Sequence, residues 1–191
     1  MTVRILPAAG RTASLWKNGG GTTREVAAGP EGAAMDDFAW RVSLAEVGRD
    51  GPFSAFPGVT RTLTVVEGAG MDLDVDGARR TVGERFVPQD FAGDATTYGW
   101  LLAGPVVNLN VMYRRGLVDA LVSVVRGRLT FGAPPGTTVL VVALDGTAAL
   151  EGTGTELGPY DAALVTEAEP GVLRADGRTA LVVFRPGCPG C

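Results

Sequence analysis

Three arginines, Arg24, Arg41 and Arg61, each fall within or at the start of a stretch that alternates like a β-strand. A guanidinium fork grips a carboxylate through two parallel hydrogen bonds, so an arginine turned inward among apolar walls selects an anionic ligand. Turned outward, the same residue is solvated or paired with Glu25, Glu46 or Glu67, the usual fate of surface charge. Two asparagines add a second signal. In VVNLNVM, Asn108, Asn110 and Met112 share one face and are opposed by Val107, Leu109 and Val111. Amides aimed into a barrel need partners, which a bound small molecule or loop backbone can supply. FAWRVSLAEV sorts the same way: Phe38, Trp40, Val42 and Leu44 on one face, Ala39, Arg41, Ser43 and Ala45 on the other. Arg41 and Ser43 thus stand together among small neighbours, which leaves room for a ligand.

Other chemistry is excluded by what is missing. The chain has no histidine, which removes the Ser-His-Asp triad, the Cys-His pair and the three-histidine zinc site. Acid–base work falls to carboxylates, Lys17, tyrosines or the two cysteines. With 17 basic and 21 acidic residues the formal charge is −4, the wrong sign for electrostatic binding to nucleic acid. Cys188 and Cys191, in the terminal CPGC, have no second ligand pair and no strand-to-helix context, and read as an exposed tail. LWKNGGGTTREV places three glycines before a strand. A phosphate cradle would need a following Gly-Lys-Ser/Thr and a helix N-terminus, so a flexible lead-in loop is the simpler reading, with Trp16 and Asn18 closing over a pocket mouth.

The elements that must position these residues are strands. At 191 residues, 46% apolar and 20% charged, the chain is globular and long enough for one large domain or two small ones. Its 28 glycines and 12 prolines are spread along the length, as turns between short strands require. Met71 to Asp76 is the clearest strand, with Met71, Leu73 and Val75 on the dry face, and Asp76-Gly77 supplies a hairpin turn into Ala78 to Val82. Further strands are expected at Thr22–Ala27, Phe38–Ala45, Arg61–Val66, Tyr98–Ala103 and Val106–Tyr113. A second series runs Ala120–Val125, Arg128–Phe131, Thr138–Leu144, Thr147–Leu150, Ala162–Val165, Gly171–Arg174 and Ala180–Arg185. Gly116 to Leu121 could open as a helical turn. The two series share a rhythm that suggests a duplicated all-β unit of roughly 90 residues. Two jelly-roll barrels fit best, with an immunoglobulin-like sandwich as the alternative. No apolar run reaches the ~18 residues that span a bilayer and no signal-peptide core is visible, so a cytoplasmic protein without membrane contact is expected.

LWKNGGGTTRE, FAWRVSLAEVGRDGPFSAFPGVTRTLTVVEG, PQDFAGD and NLNVM, in this order over about residues 15 to 115, resemble the HutD/Ves family of bicupins. At NLNVM the family pattern resembles DFNVM, so Asn108 stands for an acid and Leu109 for an aromatic. The resemblance implies two tandem cupin barrels packed as one compact bicupin: residues 1–115 as the barrel with the pocket, 116–191 as a degenerate barrel with the cysteine tail. It also implies a cytoplasmic protein of histidine catabolism that binds a small acidic metabolite, such as formylglutamate or urocanate, and moderates flux or expression. It admits a homodimer. The pocket residues it implies are Trp16, Asn18, Arg24, Glu25, Arg41, Ser43, Phe53, Ser54, Phe56, Arg61 and Asn110, of which parity independently supports Arg41, Ser43 and Asn110.

Metal-dependent cupins carry histidines and a glutamate on the strands corresponding to Gly51–Gly68 and Gly83–Asp94, where this chain offers Ser54, Phe56, Thr60, Arg61, Gln89 and Asp90. Such donors hold transition metals poorly, so neither metal nor other cofactor is expected. The function read from the sequence is therefore a metal-free, non-catalytic binder of a small anionic metabolite. The alternative is a metal-free isomerase, epimerase or hydrolase with Glu25 as general base, which requires a carboxylate buried enough to titrate near the working pH.

Overall fold

The computed structural model describes residues 1–16 and 19–187, and these form strands and turns with no helix. In chain order the strands are β1 Thr2–Leu6, β2 Ala13–Leu15, β3 Gly21–Gly29, β4 Trp40–Val47, β5 Gly51–Pro52, β6 Val59–Glu67, β7 Met71–Val75, β8 Ala78–Val82, β9 Gln89–Ala92, β10 Thr97–Leu101, β11 Val106–Arg114, β12 Val118–Ala143, β13 Ala148–Leu150, β14 Thr155–Leu157 and β15 Ala162–Pro186. The helical turn expected from Gly116 is absent, because a turn through Gly116, at φ 76°, leads straight into β12. The chain divides into two units, Thr12–Arg115 and Met1–Arg11 with Gly116–Cys191. The first eleven residues join the latter because β1 pairs antiparallel with β15, Thr2 facing Thr166 and Leu6 facing Ala162.

In the Thr12–Arg115 unit, a six-stranded antiparallel sheet in the order β2-β3-β4-β11-β6-β9 faces a four-stranded sheet in the order β5-β10-β7-β8. Alternation explains why they close on each other: Met71, Leu73 and Val82 from the smaller sheet pack against Val47, Leu63, Val65, Phe91 and Val106 from the larger. Val75 faces Ala78 across a two-residue loop, where Asp76 at φ 51° and Gly77 at φ 84° form the hairpin turn read from the sequence. In the other unit, β12 and β15 are each continuous through stretches that the sequence presents as three strands. Register shifts near Val125, Phe131 and Ala133 divide β12 into segments facing different parts of β15. This second barrel is filled by Phe131, Val139, Val141, Leu150, Leu157, Val165 and Leu173 among smaller apolar residues. No helix of the described residues is long and apolar enough to cross a membrane.

The triple-glycine segment is held by backbone hydrogen bonds. Gly19 N–H donates to the Trp16 carbonyl at 2.9 Å and adopts φ 66°. Trp16 N–H in turn donates to the Gly21 carbonyl at 3.0 Å. Gly21 lies so close to β4 that a Cβ there would stand 2.2 Å from the Glu46 carbonyl oxygen. Gly21→Ala therefore forces β3 away from β4, with an expected cost of about 1–3 kcal/mol in thermal unfolding. Gly132→Ala, where a Cβ meets nothing within 4 Å, should stay within about 0.5 kcal/mol of the parent.

Candidate functional site in the first barrel

Register aligns the chemically interesting residues on the inner face of the larger sheet. Across β4, β11, β6 and β9, Arg41 faces Met112, Met112 faces Arg61, and Arg61 faces Phe91. One row along, Glu25 of β3 faces Ser43, which faces Asn110, which faces Leu63. The next row is Thr23, Ala45, Asn108 and Val65. With adjacent strands ~4.8 Å apart, Arg41 and Arg61 start about 10 Å from each other on one surface.

Arg61 is the only charged residue among the described residues that are buried, at 7% exposure. Its guanidinium is caged by rings, with Cζ 5.2 Å from the centre of Phe53, 5.6 Å from Phe56 and 5.2 Å from Phe91. The polar contacts are long and neutral: Nε and Nη2 donate to Asn110 Oδ1 at 3.4 and 3.2 Å, and Nη1 donates to the Ser54 carbonyl at 3.3 Å. No ion pair reaches it from any described residue. Burial lowers its pKa to about 10, a net penalty on the charged form of about 3 kcal/mol. Such a cation, desolvated yet unmatched, has its donors ready for an anion.

Around it the residues read from the sequence divide. Arg41 does not wait for a ligand: its Nη2 lies 2.8 Å from Glu25 Oε2. Glu25 is thus ion-paired and its side chain 39% exposed, so it is not a buried carboxylate. Ser43 and Asn110 are buried on the inner face. Trp16 packs edge-on against Phe53, ring centres 6.4 Å apart, with its Nε1–H donating to Thr23 Oγ1 at 2.7 Å. Gly99 makes room for that arrangement, since a Cβ there would lie 2.9 Å from the Phe53 ring. Ser54 contributes its carbonyl and Phe56 its ring. Arg24 is not brought to the site. It has the opposite parity, faces Leu44 and approaches Glu46 at 3.9 Å with its side chain 46% exposed. Asn18, Lys17, Cys188 and Cys191 lie outside the described residues.

Two residues of the inner face were not among the expected pocket residues, although parity puts Asn108 on the same face as Asn110. Phe91 sits on a four-residue strand, too short for its alternation to stand out in PQDFAGD. Asn108, 1% exposed, carries an Nδ2 with no hydrogen-bond partner, an orphaned donor that costs about 1–3 kcal/mol unless something accepts from it. The interior does not fit a transition metal. Guanidinium and phenyl groups offer no lone pair, the chain has no histidine, and the described residues hold no cluster of three Cys, Asp or Glu.

The HutD family model matches residues 8–183. Protein Ves of Citrobacter koseri is 38% identical over 130 residues, 67% of this chain and 67% of its own length. An uncharacterized 21.2 kDa protein in the hutC 3' region of Pseudomonas putida is 39% identical over 98 residues, about half of either chain at 51% each. The solved structure of HutD from Pseudomonas fluorescens SBW25, in a formate condition, superposes with a TM-score of 0.87 at 30% identity, over 98% of this chain and 100% of that one. A bacterial pirin of Escherichia coli in complex with nickel(II) gives 0.70 at 10% identity, over 98% and 100%, a likeness of cupin fold alone. With two cupin barrels on one polypeptide and a family match along nearly its whole length, the chain belongs to the HutD family.

Proposed function

We propose that the first barrel binds a small carboxylate metabolite at Arg61 and that binding, without turnover, moderates histidine utilisation. The observation that carries the binding role is the buried guanidinium with no acid beside it. A carboxylate placed there recovers the charge-assisted bonds that long contacts to Asn110 and Ser54 do not supply. Support for the metabolic setting comes from the HutD family match and from the relative in the hutC 3' region. The ion-paired, partly exposed Glu25 favours binding over general-base catalysis.

Thermal denaturation with formylglutamate, urocanate and glutamate tests the binding role. A true ligand at 100 times its dissociation constant adds about 2.7 kcal/mol to the folded state, which in a chain of this size raises the midpoint by roughly 5–10 °C. Arg61→Met should abolish that shift. Absence of any shift, or an undiminished shift in Arg61→Met, would contradict the proposal, and formation of a product from a bound acid would contradict the absence of turnover.

The same substitution separates a binding cation from a structural one. Because the apo barrel carries an unmatched charge, Arg61→Met should leave the ligand-free protein more stable by about 1–3 kcal/mol in denaturant unfolding. A fall of similar size would show that the guanidinium holds the barrel together.

A further inference from the structure

A second arginine enters the same barrel from the opposite sheet. Arg80 of β8 faces Leu73 in register and shares parity with Val82, and both of those residues belong to the core between the sheets. Its Cζ stands 6.0 Å from the centre of the Phe91 ring, and the Cζ of Arg61 stands 5.2 Å from that same centre. One ring therefore lies against two guanidiniums, whose carbons cannot be farther apart than those two distances laid end to end. Nη2 of Arg80 donates to the Asp90 carbonyl at 2.9 Å, a neutral acceptor, while its Nε is buried with no hydrogen-bond partner. Like Arg61, Arg80 makes no ion pair with any described residue.

The unpaired charges give the class of ligand. Glu25 and Arg41 neutralise each other, so Arg61 and Arg80 remain on the inner face as two guanidiniums with no ion-pair partner among the described residues. A monoacid answers Arg61 and leaves the buried Arg80 Nε unmatched, which is costly for a charged donor. Building on the carboxylate pocket proposed above, we propose that Arg80 is a second anionic anchor and that the ligand is a small dicarboxylate, one acid group held at Arg61 and the other at Arg80. Asn108 Nδ2, the other unpartnered buried donor on the inner face, would donate to an oxygen of the same ligand.

Isothermal titration with succinate, glutarate and adipate, each beside the monoacid of equal carbon number (butyrate, valerate and hexanoate), tests this. The best diacid should bind the parent protein at least tenfold more tightly than its matched monoacid. Arg80→Gln should weaken that diacid at least tenfold and its monoacid less than threefold, whereas Arg80→Lys, which keeps the charge, should retain part of the preference. Melting curves of each variant establish that the fold is intact. Equal affinity of the parent for diacid and monoacid, or a preference that survives Arg80→Gln, overturns the assignment of Arg80 while the pocket stands if Arg61→Met abolishes binding of both acids. Binding of neither class to the parent, or unchanged binding in Arg61→Met, overturns the pocket itself.

Discussion

Burying a guanidinium without a carboxylate beside it is the constraint on which the first barrel depends. Moving such a cation out of water costs several kcal/mol, and rings alone recover only part of this, at about 0.5–2 kcal/mol per cation–π contact. Three phenylalanines and the Asn110 oxygen surround Arg61, and their partial compensation matches a pKa that burial still holds down. The neighbouring elements follow from this. Gly99 lets Phe53 lie in the cage, β9 carries Phe91, and backbone hydrogen bonds to Gly19 and Gly21 hold the Trp16 whose ring packs against Phe53. A protein that needed only a stable barrel would fill that interior with hydrocarbon.

The second barrel does so. Its core is Phe131 with leucines, valines and alanines, and the polar residues buried in that unit are Thr137, Thr155 and Thr179, with no amide and no charge among the described residues. The contrast confines the buried charge and the buried amides, among the described residues, to one of the two units. Filling by methyl groups stabilises at about 25 cal/mol per Å² of buried apolar surface; the first barrel forgoes part of that gain to keep donors in its interior.

Strand parity makes much of the inner face legible in the sequence. Strands β4 and β11 alternate clearly enough that Arg41 with Ser43, and Asn108 with Asn110, each share a face from sequence alone, the register then joining the two faces, and the Asp76-Gly77 turn follows from its backbone requirement. Strands β2, β5, β9 and β14 have four residues or fewer, too few for periodicity to separate from noise, so Phe91 is not legible, and the pairing of β1 with β15 is a matter of topology that parity does not show. Nor does sequence distinguish arginines by partner. Arg24 and Arg41 took the ordinary course and met Glu46 and Glu25. Arg61 did not, because which strand stands opposite is a property of topology. Arg80 is hidden in the sequence for the same reason, since only the closure of the two sheets puts it beside Phe91.

The most direct measurement is proton–nitrogen NMR of the arginine side chains, with the Nε–H resonance of Arg61 assigned by its loss in Arg61→Met, followed during titration with formylglutamate or urocanate. The account predicts that this resonance moves and saturates with the added acid, as expected when a carboxylate joins the guanidinium in the aromatic cage. A saturable response elsewhere in the protein with the Arg61 signal unmoved would contradict it.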